Sequence, residues 1–108
     1  MISIDDFKKV EIRAGKIISA EPIGGSEKLL KLMVDFNEEN QRQIISGIKK
    51  YFEEPQSLVG ITCAFVTNLE PREIMGLKSE AMIMAVSGEN FFSLLKLSDD
   101  TLPGSIVK

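Results

Sequence analysis

The stretch from Val10 to Ile17 constrains the fold more than any other part of the chain. Val10, Ile12 and Ala14 alternate with Glu11 and Arg13, as on a strand with one buried face, until Gly15 interrupts and Ile17 falls on the opposite parity. A glycine with a parity break signals a β-bulge, and a bulge bends a long strand so that it can pair in two directions. Small closed barrels turn their corners this way, so the pattern favours a barrel over a flat sheet.

The remaining pattern is mostly strand. Ser3 to Lys9 predicts a short helix, capped by Ser3 or Asp5 and anchored by Phe7, that needs docking to persist. After a loop at Pro22 and Gly24-Gly25-Ser26, Leu30, Leu32, Val34 and Phe36 alternate inward against Lys31, Met33 and Asp35. Asn37 to Asn40 reads as a hairpin loop, Gln41 to Ser46 as the third strand, and Lys49 to Glu54 as a helical stretch closed by Pro55. Ile61 to Thr67 and Ala81 to Val86 are the fourth and fifth strands. Five strands with a short helix between the third and fourth, plus N- and C-terminal extensions, is the order of an all-β OB-fold barrel. No repeat, low-complexity tract or long linker divides the 108 residues, and with 44% hydrophobic residues they suit one domain, 1–108, with one core.

Composition narrows the chemistry. The chain has no histidine, so the commonest proton shuttle near neutral pH and the most frequent metal ligand are both missing. No catalytic residue, metal or cofactor is expected. Its one cysteine, Cys63, sits in the apolar run Ile61 to Val66, where a small buried side chain is the ordinary reason, and it cannot form an internal disulfide. With no export signal at Met1 to Asp6 and no membrane-length apolar run, a cytoplasmic location is expected. The adjacent pairs Glu38-Glu39, Glu53-Glu54 and Asp99-Asp100 read as solvated surface, since sequence neighbours point apart. Gly24-Gly25-Ser26 lacks the lysine of a phosphate-gripping loop and is a turn.

Net charge is -3, which disfavours a nucleic-acid binder relying on bulk positive charge; residues 41–80 are neutral and least repulsive to phosphate. An aromatic platform for unpaired bases is also disfavoured: there is no Trp, and packing explains Phe36, Phe65 and Tyr51. Phe91 and Phe92 follow Gly88-Glu89-Asn90, which places one at the surface and the other in the core.

Six strings carry a resemblance: FKKVEIRAGKI (Phe7 to Ile17), KLLKLMVD (Lys28 to Asp35), RQIISGI (Arg42 to Ile48), LVG (Leu58 to Gly60), NLEPREIMGLKSEAMIM (Asn68 to Met84) and LPGSIV (Leu102 to Val107). In this order and spacing they resemble the tRNA-binding domain family, found on methionyl-tRNA synthetases, in free-standing dimeric tRNA-binding proteins and, as relatives, in CsaA-like export chaperones. The chain departs from that pattern at Ser79-Glu80-Ala81-Met82, where many members have Ser-x-Gly-Met.

The resemblance implies an OB-fold barrel that forms a homodimer through its terminal segments and binds tRNA by shape and backbone. A shape reader needs a few basic side chains and short polar donors more than stacked rings. Lys31, Arg42, Ser46, Asn68, Arg72, Lys78, Ser79 and Met82 are the implied RNA-binding set. Lys31 and Arg42 would lie on paired strands, Ser46, Asn68, Ser79 and Met82 would line the barrel mouth, and Arg72 and Lys78 would flank it. Arg13 and Lys16 are weaker candidates. Packing alternatives stay open: Arg42 as a solvated strand residue, Ser46 and Asn68 as turn partners, Met82 as core. Two other roles fit the same strings: a peptide- or preprotein-binding chaperone, and a non-catalytic subunit that joins tRNA to an aminoacyl-tRNA synthetase catalytic chain.

Overall fold

Leu30, Leu32 and Val34 are fully buried on one face of their strand, and Phe36 just beyond it is 1% exposed, as the alternation requires. In the computed structural model, which describes residues 1–108, these side chains fill a nearly closed, OB-like barrel. Its strands are β1 (Ile12–Pro22), β2 (Leu30–Asp35), β3 (Arg42–Ser46), β4 (Thr62–Val66) and β7 (Met82–Ile83), in the order β3-β2-β1-β4-β7 and all antiparallel. The barrel closes where the Glu80 amide donates to the Gln43 carbonyl at 2.8 Å. Phe36 and Phe65 meet edge-to-face inside, with ring centres 5.2 Å apart.

β1 changes partner part-way along: Ile12 to Lys16 pair with β4, and Lys16 to Pro22 pair with β2. The expected bulge exists, but it lies at Ile18, between Ile17 and Ser19, rather than at Gly15. Gly15 has a different reason. A Cβ there would lie 2.6 Å from Phe36, 2.7 Å from Val34 and 2.9 Å from Phe65, so only glycine lets these core side chains close over the strand. The parity break arises because β1 is buried on both faces. Gly15 and Ile17 face the barrel core, while Ile12 and Ala14 lie on the other face, where Ile12 packs with Ala64, Val66, Met84 and Leu95. β4 is buried along its whole length for the same reason.

Other expectations need correction. The helix between the third and fourth strands is two 3-10 turns, Lys49–Tyr51 and Pro55–Leu58; Pro55 opens the second turn instead of ending a helix. Its ring presets the backbone angle that a first helical residue needs. The fifth strand splits. Met82–Ile83 pairs with β4, whereas β8 (Ala85–Ser87) leaves the barrel to pair with β9 (Phe92–Leu94). A further hairpin, β5 (Arg72–Ile74) and β6 (Leu77–Ser79), turns at Met75 and Gly76, both with positive φ (51° and 77°). Two such residues make the tight turn whose twist matches paired strands. At the N-terminus, Ser3 caps α1 (Ile4–Phe7) by accepting from the Asp6 amide, but this single turn has no buried residue and Phe7 is 42% exposed.

The C-terminal segment runs beside β1. The Ala14 amide donates to Ser105, the Gly104 amide to Ala14, and the Val107 amide to Ile12, each at 2.8 Å. Gly104 has φ +89°, and a Cβ there would collide with the Phe36 carbonyl. No helix is long and apolar enough to cross a membrane.

Candidate nucleic-acid interface

Cross-strand partners in an antiparallel pair point to the same face. Lys31 and Ile45 are such partners, so Lys31 stands beside Ile45 on the outside of the barrel. Ile45 is nevertheless buried, and its amide donates to the Ser79 hydroxyl at 3.0 Å, because the β5–β6 hairpin lies against this part of β3. A small cleft of about 100 Å³ results, lined by Ile45, Ser46, Leu69, Arg72, Ser79 and Met82 among others.

Four of the sequence-predicted residues therefore converge: Ser46, Arg72, Ser79 and Met82 line one cleft. Lys31 adjoins it through Ile45, whereas Lys78, next to Ser79 on β6, alternates with its partner Glu73 to the opposite face of the hairpin. Arg72 and Lys78 are exposed and lie in no ion pair, while Lys31 has only a loose one, 3.8 Å to Glu21. Met82 is 49% exposed, so it is a surface side chain and not core. Ser79 is buried with its hydroxyl on Ile45, which makes it a spacer that holds the hairpin on β3.

Asn68 and Arg42 are placed differently. Asn68 lies outside the cleft lining: its side chain accepts from the Glu11 amide at 2.8 Å and donates to the Lys9 carbonyl at 2.7 Å, tying the chain before β1 to the end of β4. Arg42 lies on β3, which pairs with the Lys31 strand, but its guanidinium faces inward partners. Nε and Nη2 donate to the two oxygens of Glu38 at 2.8 and 2.9 Å, and Nη1 donates to the Thr67 carbonyl at 2.7 Å and the Glu80 carbonyl at 3.2 Å. Arg13 donates to the same Glu38 carboxylate at 2.9 Å, and both guanidinium groups lie 5.4 Å from the centre of the Phe36 ring. Lys16 is exposed opposite Asp35.

Glu38 is thus at the surface, as expected, but its carboxylate is engaged by two guanidinium groups. The hydrogen bonds from Arg42 hold its carboxyl down to about 2, helped by Arg13 and opposed by burial, and the pairing raises Arg42 in turn. Cys63 is fully buried, and loss of water pushes its thiol up to about 11, which leaves it an inert packing group. The sequence pattern missed Glu38, Leu69 and the whole β5–β6 hairpin. Gly76 between Arg72-Glu73-Ile74 and Leu77-Lys78-Ser79 was the available signal for the hairpin.

The chain matches the model of the family tRNA_bind, the tRNA binding domain, over residues 12–106. It is similar to the methionine–tRNA ligase of Methanocella arvoryzae, 44% identical over 99% of this chain but only 15% of that protein, so it spans a small part of that relative's length. Among solved structures it is similar to a MetRS-related protein from Pyrococcus horikoshii, with 32% identity, TM-score 0.92, and coverage of 100% of this chain and 98% of that one. The chaperone CsaA from Bacillus anthracis is similar as well, with 26% identity, TM-score 0.87, and coverage of 100% and 99%. By its match over nearly its whole length, this chain belongs to the tRNA binding domain family.

Proposed function

We propose that this chain binds structured RNA, tRNA first, at the cleft between β3 and the β5–β6 hairpin, and that it does so without catalysis. The observation that supports this most directly is a cleft that presents Ser46, Arg72 and Met82, with Lys31 beside it and Lys78 on the outer face of the same hairpin. Exposed cations with few protein partners are free to meet phosphates, whereas the short side chains admit a backbone at close range. Arg42, Asn68 and Ser79 belong to the proposal as positioning residues, because each bonds the framework that carries the contact residues. We place the chain as the tRNA-binding part of a synthetase assembly or as a free-standing binder, dimeric through its terminal segments.

A titration of folded tRNA at two or more salt concentrations tests this. Tight binding at low salt should weaken steeply as salt rises, and Arg72→Glu or Lys78→Glu should each cost about tenfold and flatten the salt slope by roughly one. Likeness to a chaperone supports peptide binding as the second reading. An unfolded peptide that binds with shallow salt dependence and excludes tRNA would replace the RNA proposal with that one.

A further inference from the structure

A second concavity shares no residue with the cleft. It is an open groove of about 820 Å³ between the two 3-10 turns and the β8–β9 hairpin, within the size range of small-ligand sites. Tyr51 and Phe92 form its wall, stacked with ring centres 3.9 Å apart and planes within 5°. Lys50 sits 5.1 Å from the Tyr51 ring centre, so both faces of that ring are occupied.

Phe91 is the ring left open. It is 59% exposed, yet it is held: a Cβ on Gly88 would collide with it, so the ring lies against the glycine backbone, and the Gly88 amide closes the loop by donating to the Phe91 carbonyl at 2.9 Å. An aromatic ring fixed on one side and bare on the other is a stacking platform. The groove carries Lys50 and Lys96 against one carboxylate, Glu89, a balance that suits an anionic occupant.

We infer that the groove holds an unpaired nucleotide of an RNA strand, its base stacked on Phe91 and its phosphates near Lys50 and Lys96. The inference rests on RNA being the chain's ligand, and it adds a single-strand contact to the duplex-reading cleft. Sequence alone argued against such a platform because there is no Trp and packing accounts for Phe36, Phe65 and Tyr51; the fold brings Tyr51 beside Phe92.

The test is a titration of a short unstructured oligoribonucleotide carrying one 2-aminopurine, whose fluorescence falls on stacking. Wild type and Phe91→Tyr should quench it, and Phe91→Leu, which keeps the apolar bulk without a π face, should bind about tenfold more weakly. Absence of quenching, equal quenching by Phe91→Leu, equal quenching of a free 2-aminopurine nucleoside monophosphate, or displacement by an unfolded peptide would each overturn the assignment. Folded tRNA in the same buffer separates the two proposals. If wild type and Phe91→Leu bind tRNA alike while the oligonucleotide is not quenched, only the groove falls. If the oligonucleotide is quenched and tRNA does not bind, the groove stands and the tRNA cleft falls.

Discussion

Glu38 holds two guanidinium groups with one carboxylate, and those groups cover the Phe36 ring at the end of the barrel core. Because about a third of the Glu38 side chain remains exposed, solvent screens the cluster and its value is well below what the full shift implies. Glu38→Gln is expected to cost about 1–2 kcal/mol at pH 7. The pH dependence follows from the sign of the shift. The folded carboxyl at about 2 lies below its ordinary 4.5, so its contribution is complete above about 4.5 and is lost as pH falls toward 2. Urea titrations of both proteins should show the gap between them closing through that window; a constant gap would refute the ion cluster as its source. Glu38 was illegible in sequence because its pair with Glu39 has the appearance of a hydrated loop. Four residues on, Arg42 did not distinguish a clamp from an exposed strand cation.

At the scale of elements, the C-terminal segment supplies hydrogen-bond partners to the outer half of β1. Gly104 is the point of closest approach, with a positive φ and the Phe36 carbonyl where a side chain would start. Gly104→Ala should detach the segment without opening the barrel, at a cost of about 1–3 kcal/mol. Hydrogen exchange checks this: the Ala14 amide, bonded to Ser105, should lose protection, while the Val34 and Ile44 region keeps it. Uniform loss across the strands would show that the segment is integral to the barrel. Sequence marked β2 and β4 well because each has a regular burial pattern. It misjudged the 49–58 region and the 81–94 region, where elements of two to four residues leave too little periodicity to read.

The whole molecule leaves apolar ends uncovered. Ile2, Ile4 and Leu102 are 70%, 66% and 74% exposed, and the Val107 amide bonded to Ile12 brings the C-terminal end alongside the start of β1. Exposed apolar side chains of this kind are commonly covered by a second subunit. Light scattering at micromolar concentration should give twice the mass of one chain, and Ile4→Glu with Leu102→Glu should return it to one; a monomeric wild type would refute the dimer. Two copies would double the RNA sites and raise apparent affinity through linkage.

Sequence by itself determined the order of the main strands, the inward set Leu30, Leu32, Val34 and Phe36, the missing histidine chemistry and the string of motifs that places the chain in its family. These are local or compositional properties, and periodicity reports directly which face of a strand avoids water. Only the tertiary structure decided what covers each face and what each charged group touches. It assigned Ile12 to an outer cluster with Leu95, turned Arg42 toward Glu38 and Thr67, and left Arg72 and Lys78 facing solvent. It also stacked Tyr51 on Phe92. Those outcomes depend on partners far apart in sequence, whose meeting is set by how the barrel closes and not by any pattern along the chain.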